Sequence, residues 1–159
     1  MPNSILQKQL EESRFKHGID YVRGNAGGAK HLSPPELAYI NQIIDGHKQA
    51  EPWRTEPVTI KLKHGQDVHF SLISNPVVAV RDIITEAKAL IADGKIGDGA
   101  FSIYFRIVMG HYFKDANRRT AALATEWLLL ESGHEIDAEA LHKLIVGNLR
   151  DADEQEKLR

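Results

Sequence analysis

Ten consecutive residues hold most of the chain's chemical potential: His111-Tyr112-Phe113-Lys114-Asp115-Ala116-Asn117-Arg118-Arg119-Thr120. A histidine, an acid, an amide and two arginines fall within nine positions, His111 to Arg119. That set offers a proton acceptor, an oxygen ligand for a hard cation and donors for an oxyanion, which phosphoryl chemistry requires. The segment lies at the predicted start of an apolar helix. A helix N-terminus presents unpaired N–H groups and the positive end of the dipole, and anions bind there. Two arginines in the first turn oppose the usual preference for acids at that end. A phosphate held between them resolves the conflict.

The elements that must position this segment can be read from periodicity. Residues 4–16 read as a short polar helix and residues 23–31, RGNAGGAKH, as a loop. Ser33, Pro34 and Glu36 supply a helix start with a capping box; Leu37, Ile40, Ile43 and Ile44 line one face, and Gly46 ends it. Val58, Ile60 and Leu62 alternate with polar residues, as do Val68, Phe70 and Leu72, with His64-Gly65-Gln66-Asp67 as turn chemistry between them. This predicts a β-hairpin. Asn75-Pro76 opens another helix, with a stripe of Val80, Ile83, Ile84, Ala87 and Ile91 and a stop at Asp93-Gly94. A helix after Asp98 is expected to gather Phe101, Tyr104, Phe105 and Val108 on one face, with a break near Gly110. The next runs from about Ala116 to Ser132-Gly133 and is apolar nearly all round, as a buried central helix is. Asp137 caps a last helix carrying Leu141, Leu144, Ile145 and Leu149.

Composition narrows the class. The 159 residues suit one domain with a real core, and 42% apolar with 26% charged residues is ordinary for a globular protein. A formal net charge of -2 gives no electrostatic case for nucleic acid or an anionic membrane. The absence of cysteine excludes disulfides and zinc–thiolate sites and agrees with a cytoplasmic setting. No signal peptide or membrane span is expected: the most apolar stretch, Ala121 to Leu130, is interrupted by Thr125 and Glu126 and is too short. His64 and His69 flank the hairpin turn with no third ligand near, so a metal site is not read there. Glu11, Glu12 and the terminal DADEQEKLR read as solvated.

HYFKDANRRTA resembles the signature of the Fic/Doc (Fido) proteins, roughly H-x-F-x-[DE]-[GA]-N-[GK]-R, through His111, Phe113, Asp115, Ala116, Asn117 and Arg119. PWRTEPVTI, Pro52 to Ile60, resembles the start of that family's flap. The resemblance implies a mainly α Fic/Doc-type domain with a small β-hairpin flap over residues 32–150, an N-terminal helix and loop over 1–31, and a polar tail over 151–159. It implies His111 as general base, Phe113 as structural anchor and Asp115 as ligand to Mg2+ bridging the phosphates of ATP. Ala116, Asn117, Arg118 and Arg119 would bind the nucleotide, with His111, Asn117 and Arg119 carrying the chemistry. The flap strand, Val58, Thr59, Ile60, Lys61 and Leu62, would hold a target protein by strand addition.

The sequence departs from the Fic pattern in ways that bear on the reaction. Tyr112 stands where proline is frequent, Ala116 and Arg118 flank the asparagine in place of glycines, and Ala122 stands where a second arginine is common. DANRRTA is closer to the Doc toxins, which implies phosphoryl transfer from ATP to a Ser or Thr hydroxyl of a target such as a translation factor. AMP transfer by a Fic-type reaction is the alternative, and an inactive binding module of the same fold a third reading. The family's inhibitory pattern [ST]-x-x-x-E-[GN] has no clean copy; Ser13 to Gly18, SRFKHG, puts His17 at the glutamate position. Inhibition by a separate antitoxin is the corresponding expectation.

Overall fold

The computed structural model describes residues 2–61, 65–72 and 74–134. Among them the order is α1 (Pro2–Asn25), α2 (Pro34–Asp45), β1 (Val58–Lys61), β2 (Asp67–Phe70), α3 (Pro76–Ala92), α4 (Ile96–Gly110) and α5 (Asn117–Glu131). The architecture is mainly helical with one antiparallel hairpin, as the periodicities predict. The predicted helix from Asp137, the tail over 151–159, His64 and the flap residue Leu62 lie outside the described residues.

α5 is the central helix. Ala121, Ala122, Leu123, Ala124, Trp127 and Leu128 are fully buried, and α1, α2 and α4 all pack against it. Burial on every side explains why it shows no apolar stripe. Its one carboxylate inside the core, Glu126, is also fully buried, and Arg23 of α1 donates Nε–H to its Oε1 at 2.8 Å. A charge withdrawn from water needs such a partner.

α1 corrects the expectation of a short polar helix. It runs on to Asn25, and Phe15, Ile19 and Val22 are buried at helical spacing. Gly18 lies in the middle of that stripe where α1 comes close to α5: an added Cβ would stand 2.7 Å from Leu123 Cδ1, so the leucine would have to shift.

α2 and α3 start as their sequences dictate. Glu36 N–H donates to Ser33 Oγ at 3.3 Å, and Val78 N–H donates to Asn75 Oδ1 at 3.1 Å. The expected capping box is only half made, since the Glu36 carboxylate accepts from Tyr21 O–H of α1 instead of returning to the cap. α2 ends at Gly46 in the left-handed region, φ 71°.

α4 corrects a predicted face. Gly99, Ile103, Tyr104 and Ile107 are buried, whereas Phe101 and Phe105 are exposed and stack on each other with centroids 5.3 Å apart. Gly99 sets the phase: a Cβ there would meet Ile91 Cγ1 at 2.6 Å and Ala87 O at 3.0 Å, so α3 and α4 touch at the glycine. The hairpin pairs Val58 with Phe70, Thr59 with His69, Ile60 with Val68 and Lys61 with Asp67. Its half-buried face carries Val58, Ile60, Val68 and Phe70. His69 Nδ1 lies 2.8 Å from Thr59 Oγ1 across the hairpin.

Candidate functional site

The segment singled out in the sequence is the connection from α4 to α5, and it is bracketed by two left-handed residues. His111 ends α4 at φ 48° and Ala116 starts α5 at φ 59°. Neither is glycine, so each conformation costs about 1–2 kcal/mol and must be held by its surroundings.

Side chains of the loop itself and of two distant segments hold it. Phe113 is fully buried, and its ring stacks on Trp53 with centroids 4.7 Å apart. Residues 52–54 run antiparallel to the loop: Arg54 N–H donates to Tyr112 O at 2.8 Å and Lys114 N–H to Pro52 O at 2.9 Å. Asn117 accepts from Phe113 N–H through Oδ1 and donates Nδ2–H to Phe113 O, both at 3.0 Å, which closes the loop on itself. Asn41 of α2, buried, donates to Asp115 O at 2.9 Å and to Thr120 Oγ1 at 3.0 Å.

Arg54 is the residue that the sequence reading passed over. It is 5% exposed, and all its donors are used on backbone oxygens. Nε–H reaches His111 O at 2.6 Å; Nη1 reaches Glu56 O at 2.8 Å and Phe70 O at 3.1 Å; Nη2 reaches Ser71 O at 2.7 Å and Gly110 O at 3.3 Å. A guanidinium has five N–H donors in a planar fork, and here each has an acceptor. The carbonyls at the end of α4 carry the negative end of its dipole, which balances the buried cation.

His111 is half-buried, and its imidazole stacks on Phe70 of β2 with centroids 4.7 Å apart and planes at 25°. Burial lowers its pKa below the ordinary value, the Arg54 guanidinium and Arg118 lower it further, and Asp115 opposes them. Each lowering influence favours the neutral ring, the form that can accept a proton.

Asp115, Arg118 and Arg119 lie at the start of α5, Asp115 just before it and the two arginines in its first turn. Asp115 is exposed, and its Oδ1 accepts from Ala116 N–H at 2.8 Å. One turn beyond Asn41, Asp45 is buried, and its carboxyl is pushed up by burial and by Asp115. α5 begins with no side-chain cap and no acid in its first turn, so its first N–H groups have no acceptor within the helix. Arg118 is exposed and within electrostatic reach of His111 and Tyr104. Arg119 is engaged by α1: Nη1 lies 3.7 Å from Glu11 Oε2, and the guanidinium sits 5.8 Å over the Phe15 ring. Glu11, read from sequence as solvated, is therefore a neighbour of the site.

Asp115 is the residue here that could hold a hard cation, and the arginines could hold an anion. An exposed carboxylate stands beside an uncapped helix N-terminus and two arginines. Among the described residues no group of three or more acidic, histidine or cysteine side chains could hold a metal by itself. A cation at Asp115 would take its other oxygens from phosphate and water, as magnesium commonly does.

The family model described as the Fic/DOC family matches residues 31–129. The chain belongs to the Fic/DOC family. Two solved structures share the fold of this Fic/DOC chain. One is a Fic domain containing signaling protein from Bacteroides thetaiotaomicron, with TM-score 0.60 and 18% identity over 88% of this chain and 55% of the other. The second is IbpAFic2 covalently tethered to Cdc42, with TM-score 0.64 and 16% identity over 82% of this chain and 43% of the other. The chain thus spans about half the length of each. No curated protein matches it. Among the described residues no helix is long and apolar enough to cross a membrane.

Proposed function

We propose that this Fic/DOC chain transfers the γ-phosphoryl group of ATP to a Ser or Thr hydroxyl of a target protein, with His111 as general base. The observation that carries the reading is a half-buried imidazole stacked on Phe70 of the hairpin, within electrostatic reach of Asp115 and Arg118, in the loop that leads to the uncapped start of α5. His111 takes the hydroxyl proton as the target oxygen bonds to the γ-phosphorus. The bond from that phosphorus to the bridging oxygen breaks, and ADP leaves. The first N–H groups of α5, with Arg118 and Arg119, hold phosphate oxygens. Asn117 contributes by fixing the loop, since its amide is spent on Phe113. Asp115 is the residue that would hold Mg2+, which when bound neutralises phosphate charge.

Arg118 favours the γ-phosphoryl reading, as in the Doc branch. An exposed guanidinium at the second position of α5 can hold a phosphate where the Fic pattern has an open glycine. AMP transfer is the second reading, and one observation favours it. Ala116 already adopts the left-handed conformation a glycine would take, so the backbone can still wrap inner phosphates.

Among the described residues the sheet has two strands only, so outer strand edges remain that support a protein target bound as an added strand, and the relative tethered to Cdc42 supports a protein substrate. A translation factor is the proposed target class, and a separate antitoxin the proposed inhibitor. Incubation with cell extract and ATP labelled at α or at γ tests the chemistry. Label on protein from γ alone is the expected result; label from α overturns it in favour of AMP transfer.

A further inference from the structure

The hairpin and the catalytic loop are far apart in sequence, yet two side chains join them. Arg54 binds the oxygens of Phe70 and Ser71, at the end of β2, with the same guanidinium that binds the oxygens of Gly110 and His111. Phe70 then lays its ring on the His111 imidazole. One contact fixes the backbone of the base and the other covers its ring.

We infer that Arg54 and Phe70 are positioning residues for His111, so that the hairpin which receives a target also sets the orientation and water access of the base. The inference rests on the reading of His111 as general base and extends it to the element that controls it. The guanidinium is planar and rigid, and none of its donors is spare. A target strand that shifts the end of β2 displaces Phe70 O and Ser71 O. The fork passes that displacement to Gly110 O and His111 O. His111 N–H keeps a bond to Ile107 O at 3.2 Å, but the His111 carbonyl has passed the end of α4 and is held by Arg54. Lysine cannot replace Arg54, because three ammonium donors cannot reach five carbonyls in one plane.

Phe70 acts on the ring itself. Its face excludes water from one side of the imidazole, and desolvation of that kind disfavours the charged form. The charged groups acting on His111 are Arg54 from the segment before β1, Asp115 from its own loop and Arg118 from α5. Removal of the Phe70 ring leaves these three charges in place. A change in titration on that removal therefore reports the ring and not the charges.

The test uses the whole chain with isotope-labelled backbone amides and histidine rings, His111→Ala to assign the ring signals, and the variants Phe70→Leu, Phe70→Ala and Arg54→Lys. In the wild type the His111 ring should show an aromatic ring-current shift and titrate below ordinary histidines. Phe70→Leu should remove the ring-current shift while keeping most of the lowered pKa. Phe70→Ala should remove the ring-current shift and move the titration part of the way back toward ordinary histidines, since Arg54 and Arg118 still act on the ring. In Arg54→Lys, amide shifts should change at Ser71 and Gly110 together, and kcat should fall by up to about a hundredfold with little change in KM. A folded Phe70→Ala variant whose His111 ring shift and titration match wild type overturns the inference, whatever happens with Arg54→Lys. Because the readout is the imidazole and not turnover, it is separable from the functional reading, which fails if His111→Ala keeps transfer.

Discussion

The imidazole of His111 and the phenyl ring of Phe70 lie nearly parallel, 4.7 Å apart, and so the proposed base has one face closed to water. With Arg54 beneath its carbonyl, this places the histidine's pKa below the ordinary value through burial first and nearby cations second. The sign of the pH effect follows. The unfolded chain takes up the proton at about pH 6.5, before the folded chain does. The group therefore costs no stability above that pH, and destabilises the fold increasingly as pH falls from there to the folded pKa. Denaturant unfolding of wild type and His111→Ala at about pH 7.5 and about pH 5 should show the wild type losing more stability on acidification. Equal losses in the two proteins would mean that the imidazole is not shielded.

Phe113 should be a structural anchor, and Trp53 its partner. Phe113→Ala should lower stability by about 3 kcal/mol or more, as truncation of a buried aromatic does. Trp53→Ala should be non-additive with it, since the two rings stack and their segments pair through the backbone. Thermal unfolding that leaves the two effects strictly additive would contradict the pairing.

Ala116 holds a conformation that glycine adopts freely. Ala116→Gly should be neutral to stabilising, within about 1 kcal/mol, because relief of left-handed strain is partly offset by the greater freedom of glycine in the unfolded chain. Ala116→Val, β-branched at φ 59°, should cost about 1 kcal/mol or more. A Val variant as stable as wild type would show that the left-handed start of α5 is not maintained.

Much of this fold was legible before any coordinates. The caps at Ser33 and Asn75, the alternation of the hairpin and the unbroken apolarity of α5 each report a local cause, and local causes are what a sequence displays. α4 was read in the wrong phase because Phe101 and Phe105 are the more apolar pair. The packing is decided instead by Gly99, which lets α3 approach. The full extent of α1 is obscured in the sequence because Gly18 interrupts the stripe of Phe15, Ile19 and Val22. The same contrast divides the site. His111, Phe113, Asp115, Asn117 and Arg119 stand together in sequence. Arg54 and Phe70 lie in segments legible as the start of the flap and its second strand, but nothing local to them or to Asn41 marks a contact with a loop so distant in sequence.

Glu11 shares Arg119 with any phosphate that binds there. Both side chains are partly exposed and 3.7 Å apart, so the pair is worth no more than about 1 kcal/mol. Glu11→Ala should therefore strengthen ATP binding by no more than about fivefold, and less at high salt. Calorimetry showing weaker binding in Glu11→Ala would mean that Glu11 orients Arg119 for the nucleotide and does not compete for it.

The central claim is that His111 removes a proton from a protein hydroxyl during transfer from ATP. The most direct measurement compares wild type and His111→Ala for label transfer from ATP to protein, with nucleotide affinity measured on the same samples. Loss of transfer by about 10²–10⁴-fold with ATP affinity retained is the expected result, because removal of a general base costs the chemical step and not binding. Transfer by His111→Ala at the wild-type rate would contradict the account.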